Sequence, residues 1–163
     1  MNGDPKLYVL LDQLNISYEY IEHPPAPTIE IAKQYWEGHD AQHCKNLFFR
    51  NHKGNKHFLV ILNCDQEMDI HFIEKLLKQG KLSFASEERL QKWLGVSPGS
   101  VTPFGLINDP GHHVHLFIDE TLLKAEKLSF HPCQNTASLI IQQSDFIKFL
   151  DYCQNQYEWI NLY

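Results

Sequence analysis

Lys45 stands in the run Cys44-Lys45-Asn46-Leu47-Phe48-Phe49. On a strand it shares a face with Leu47 and Phe49. A lysine at the end of an apolar face either snorkels to water or points into a cleft. In a cleft it is a fixed cation, suited to a phosphate or to developing negative charge. The run Leu94-Gly95-Val96-Ser97-Pro98-Gly99-Ser100-Val101-Thr102-Pro103-Phe104-Gly105 is rich in glycine and proline. Such a loop either gathers successive N–H groups into an anion-binding concavity or serves as a plain connection. It matches neither G-x-x-x-x-G-K-[ST] nor G-x-G-x-x-G, so the nucleotide-phosphate motifs are absent. Phe130-His131-Pro132-Cys133-Gln134-Asn135-Thr136 puts a histidine at a strand end. That position suits acid–base work, a substrate hydrogen bond or a structural ring.

Other candidates are weaker. In His112-His113-Val114-His115, strand alternation places His113 and His115 on one face. There is no H-E-x-x-H, thiol pair or third ligand to make a metal site of them. No G-x-S-x-G elbow is present. Cys44, Cys64, Cys133 and Cys153 are dispersed in apolar surroundings, which predicts reduced, buried, inert thiols.

The elements that must position these residues follow from pattern. Asp4 caps a helix with Pro5 at its first position and Leu7, Leu10, Leu11 and Leu14 as its stripe. Ser17–Ile21 reads as a strand. His23-Pro24-Pro25-Ala26-Pro27 forms a rigid turn. Thr28 caps a short helix with Ile31 and Tyr35. Cys44–Arg50 and His57–Asn63 pair as a hairpin. Asp69 and Ser86 start two further helices, the second ending at Gly95. Strands are predicted at Leu82–Ala85, Val114–Ile118, Lys127–Phe130 and Ser138–Ile141, and Ser144 caps a last helix. Hairpins and single helices mix irregularly. The prediction is an α+β fold on a curved mixed sheet, with residues 1–163 as one domain.

Charge sharpens the picture. The chain has 163 residues, with 20 acidic and 14 basic side chains and a net charge of −6. That excludes a basic nucleic-acid coat protein. Yet residues 41–64 carry no acid, against Lys45, Arg50, Lys53, Lys56 and three histidines. This local patch suits a phosphate-bearing partner, or is a solvated hairpin. The N-terminal residues lack a signal-peptide core, no run is long enough for a membrane span, and a cytoplasmic location is expected.

Four segments in register resemble the YbaK/prolyl-tRNA-synthetase-associated editing-domain family, and within it the freestanding ProX branch. They are Cys44–Phe48, Lys81-Leu82-Ser83-Phe84-Ala85, Leu94–Pro103, and Phe130-His131-Pro132 with Asn135-Thr136-Ala137. His23-Pro24-Pro25 followed by Thr28 also fits. The resemblance implies a trans-editing enzyme that hydrolyses mischarged aminoacyl-tRNA without a cofactor or metal. It implies alanyl-tRNA(Pro) as substrate, with cysteinyl-tRNA(Pro) or a non-catalytic tRNA-binding module as alternatives. Lys45 falls at the family's essential lysine. Gly99, Ser100, Val101, Thr102 and Pro103 form its G-x-x-x-P loop, and His131 its histidine. Asn46, Lys81 and Asn135 are then expected to bind substrate, with Pro24, Pro25, Thr28 and Ile31 walling the side-chain pocket. Expected partners are aminoacyl-tRNA and, transiently, prolyl-tRNA synthetase or an elongation factor, but neither DNA nor membrane.

Overall fold

The computed structural model describes residues 1–26 and 28–162. Pro27, within the expected proline turn, and Tyr163 lie outside the described residues. Helices α1 (Pro5–Gln13), α2 (Ile29–Trp36), α3 (Ile70–Leu77) and α4 (Glu87–Leu94) start where predicted. The side chains of Asp4, Thr28, Asp69 and Ser86 each accept a hydrogen bond from their helix's first turn. Helix α5 (Gln143–Cys153) departs from expectation. Gln142 is its cap residue, without a side-chain bond, because the preceding strand runs straight into the helix. Ser144 therefore lies inside the helix.

Among the described residues, eight strands form one mixed sheet: β1 (Tyr18–Glu22), β2 (Gln42–Arg50), β3 (His57–Asn63), β4 (Ser83–Phe84), β5 (His115–Asp119), β6 (Lys127–Phe130), β7 (Ala137–Gln142) and β8 (Tyr157–Ile160). Their order is β1-β7-β6-β2-β3-β5-β8, with β4 pairing on β2. Strand β8 was not predicted; it lies parallel to β5, Leu116 opposite Tyr157. The glycine- and proline-rich run is not loop throughout, since its end enters a helix. Thr102 caps a 3₁₀ helix over Pro103–Asn108 by accepting from Phe104 N–H at 3.3 Å.

One strand joins the two halves of the sheet. Gln42 and His43 of β2 pair in parallel with Leu128 and Ser129 of β6. Beyond them, Cys44–Arg50 pair antiparallel with β3. The β2–β6 ladder stops at His43 and Ser129, so the strands separate just where Lys45 and His131 follow. One core cluster, with Phe48, Leu59, Phe104, Phe130 and Phe149, packs under one face. A second, with Phe49, Phe58, Leu62, Ile73 and Phe117, packs on the other. With these faces buried, the register of β2 is fixed, since a one-residue slip would drive Lys45 to the wrong side.

Candidate active site

The gap between β2 and β6 opens into a pocket of about 290 Å³. Its polar side is formed by Lys45, Asn46, Gly99, Val101 and His131, and its apolar side by Ala26, Ile29, Ala32 and Trp36. Thr28, Cys44 and Leu47 complete the described lining. Among those residues there is no carboxylate.

Each polar group has a defined pose. Lys45 Nζ donates to the main-chain oxygen of Gln66 at 2.8 Å, mooring a single cation in the cleft. Asn46 Oδ1 is buried and has no hydrogen-bond partner among the described residues. A buried acceptor without a donor is costly, so a water or ligand donor that reaches it gains a bond. His131 Nδ1 lies 2.8 Å from the Ala137 carbonyl. A carbonyl only accepts, so Nδ1 carries the proton and Nε2 is left with its lone pair. Burial pushes the His131 pKa down, which keeps the ring neutral at pH 7.

The glycine loop divides its labour. Gly99 has φ of +85°, a conformation that suits glycine. Ser100 is 6% exposed, and its N–H is committed to Ser97 O at 3.0 Å. Thr102 and Pro103 are buried and hold the 3₁₀ helix. Gly105 lets that helix approach α4, since a Cβ there would meet Leu94 O at 2.6 Å. Gly99 and Val101 therefore present the loop to the pocket, while Ser100, Thr102 and Pro103 brace it from behind.

Other predicted residues lie outside the lining. Pro24 and Pro25 are exposed, and their segment is strapped down by His23 N–H to Thr136 O at 3.0 Å and Ala26 N–H to Asn135 O at 3.1 Å. Asn135 is thus placed as a backbone support. Ile31 is 37% exposed, on the outer face of α2. The pocket face of α2 is instead Ile29, Ala32 and Trp36, three and seven residues along from the first. That helical spacing was the available signal for them. Lys81 is exposed and precedes β4, whose Ser83 pairs with Arg50. Arg50 is about 16 Å of strand from Lys45, so Lys81 is not brought to the pocket.

The histidine-rich stretch builds something else. A hollow of about 530 Å³ is lined by His57, Phe58, His113, His115 and Glu158, among others. His57 Nδ1 lies 2.8 Å from His113 Nε2, and His115 Nε2 lies 2.9 Å from a Glu158 carboxylate oxygen. Arg89 donates to His57 Nε2 at 2.9 Å. No three His, Cys, Asp or Glu side chains converge as metal ligands among the described residues. All four cysteines are free and buried, and burial raises their pKa, Cys133 and Cys153 to about 12. Such thiols are not nucleophiles near neutral pH. No helix among the described residues is long and apolar enough to cross a membrane.

Comparison with known proteins matches this geometry to a family. Residues 23–149 match the aminoacyl-tRNA editing domain. The prolyl-tRNA editing protein ProX of Acetoanaerobium sticklandii is 37% identical over 164 residues, covering 99% of this chain and 100% of that protein. Prolyl-tRNA synthetase associated domain-containing protein 1 of Mus musculus is 33% identical, covering 86% of this chain and 85% of its own. Among solved structures, hypothetical protein APE2540 superposes with a TM-score of 0.71 at 16% identity, over 93% of this chain and 96% of that one. A protein provisionally described as a trans-editing enzyme for prolyl tRNA synthetase gives 0.70 at 20% identity, over 98% and 99%. These two likenesses establish the shared α+β fold. The chain belongs to the aminoacyl-tRNA editing domain family, and its reaction class is aminoacyl-tRNA deacylation.

Proposed function

We propose that the protein removes a wrong amino acid from tRNA(Pro) in trans, and that this amino acid is alanine. The carrying observation is the two-sided pocket: a cation, an orphaned acceptor and a glycine loop face a small apolar wall. An aminoacyl ester with a short apolar side chain has the same two characters. The names of the two sequence relatives point to prolyl-tRNA. The work would then be done in the cytoplasm, beside prolyl-tRNA synthetase.

The chemistry is ester hydrolysis. Water oxygen bonds to the carbonyl carbon, the bond from that carbon to the ribose oxygen breaks, and free amino acid leaves. Main-chain N–H groups of Gly99 and Val101 stabilise the oxyanion as it forms. The Lys45 ammonium binds the terminal phosphate or ribose and orients the ester. His131 Nε2, a neutral acceptor, takes a hydrogen bond from the substrate ammonium. Asn46 Oδ1 accepts from the attacking water or from the ribose. With no carboxylate in the described lining, the neighbouring ribose hydroxyl relays the water's proton to the leaving oxygen.

Selection has a physical reason. A synthetase pocket built for proline cannot shut out a smaller side chain, because each missing methylene discriminates by only about 1–3 kcal/mol. A second site that admits only small side chains adds the missing factor. The test is a deacylation panel of alanyl-, cysteinyl-, seryl- and prolyl-tRNA(Pro). Fastest release of alanine supports the reading. Preferential release of cysteine replaces it with the cysteinyl one, and no hydrolysis of any substrate leaves a tRNA-binding module.

A further inference from the structure

Trp36 is the largest side chain on the pocket's apolar wall. Its indole is clamped on face and edge. The face lies on the His43 ring, with centroids 4.2 Å apart and planes 1° apart. At the edge, Nε1–H donates to Ser138 Oγ at 3.2 Å. Ser138 Oγ lies 3.1 Å from His23 Nε2, and His23 Nδ1 lies 2.9 Å from Pro24 O.

These bonds have one consistent direction. The Pro24 carbonyl accepts, so His23 carries its proton on Nδ1 and Nε2 accepts from the Ser138 hydroxyl. That hydroxyl oxygen remains free to accept from the indole. The chain is buried, with Ser138 1% and His23 5% exposed. Rotating the indole away would strand a buried donor and break its stack on His43. Of the other wall residues, Ala26 and Ala32 are small, and Ile29 completes the apolar side.

We propose that Trp36 sets the size limit of the amino-acid subsite, with Ser138 and His23 as positioning residues that hold the indole there. The proposal rests on the alanyl reading above. A methyl group fits before the indole, whereas the proline ring meets it. A close-packed wall that cannot move rejects an oversized group by overlap. Correctly charged prolyl-tRNA(Pro) is spared for that reason.

The test compares kcat/KM for alanyl- and prolyl-tRNA(Pro) in wild type, Trp36→Leu and Ser138→Ala. Both substrates are assayed on one preparation, so loss of folded enzyme cancels in their ratio. The prolyl-to-alanyl ratio rises about tenfold or more in Trp36→Leu. It rises by a smaller factor in Ser138→Ala, whose indole is loosened rather than removed. Unchanged ratios, with alanyl hydrolysis intact in wild type, overturn the proposal. If Trp36→Leu does not fold, an unchanged ratio in Ser138→Ala overturns it alone. Failure of the wild type to hydrolyse alanyl-tRNA(Pro) overturns the underlying reading instead.

Discussion

His131 Nδ1 lies 2.8 Å from the carbonyl oxygen of Ala137, seated at the start of the next strand. The bond fixes the tautomer and leaves Nε2 as an acceptor. Burial lowers the ring's pKa below the ordinary 6.5. Protonation would turn that acceptor into a second donor facing the substrate ammonium.

Activity is therefore full while His131 is neutral and falls as the medium becomes acidic. The acid limb of kcat/KM has its midpoint below 6.5, the ordinary histidine value. Replacing His131 with Ala costs about 10–100-fold in kcat/KM, the worth of a hydrogen bond to a charged group, and removes that limb. A pH–rate profile of both proteins checks this. An unchanged limb in His131→Ala assigns it to another group.

Lys45 supplies the cation of the cleft, held by Gln66 O. Lys45→Ala is expected to reduce kcat/KM by about a hundredfold, comparable to losing one oxyanion donor. Its ammonium is near the surface, so stability changes by about 0.5 kcal/mol or less. Parallel measurement of deacylation and urea unfolding checks both halves. Full activity in Lys45→Ala removes the residue from the mechanism.

Gly99 carries a φ of +85° where the loop faces the pocket. Alanine in that conformation costs about 1–2 kcal/mol. Gly99→Ala is expected to lower unfolding free energy by that amount and to slow hydrolysis more than it weakens tRNA binding. Denaturant titration and single-turnover kinetics separate the two effects. Wild-type kcat in Gly99→Ala counts against an oxyanion site in this loop.

The helix starts were legible because Asp4, Thr28, Asp69 and Ser86 are local signals that need no tertiary partner. Strand β8 was not: its Tyr157–Ile160 run pairs with β5, some forty residues earlier in the chain. At the site, Lys45, Asn46 and Gly99 stood out because charged, amide and glycine residues interrupt apolar runs, His131 because it ends a strand, and Val101 only as part of the glycine loop. Trp36 did not, since an aromatic on a short helix reads as core. Only the stack on His43 and the bond to Ser138 distinguish it. Lys81 illustrates the converse, a basic residue at a suggestive motif that strand register carries away from the pocket.

Two buried histidines, His57 and His43, make stability depend on pH. His57 is 2% exposed, and burial together with His113 and Arg89 lowers its pKa to about 4. His43, under Trp36, is lowered to about 4 chiefly by burial. In the unfolded chain these rings protonate near the ordinary 6.5. The unfolded state then binds more protons, so stability is full above pH 6.5 and is lost as pH falls toward 4. Urea midpoints between pH 7.5 and 4.5 will show this slope. His57→Gln is expected to flatten it, and an unaltered slope in that variant contradicts the assignment.

The most direct test of the account is release of free alanine from alanyl-tRNA(Pro), followed under single-turnover conditions with wild type and Lys45→Ala. Wild type is expected to give first-order release well above the spontaneous rate, nearly abolished in the variant. Wild-type release no faster than spontaneous hydrolysis would contradict it.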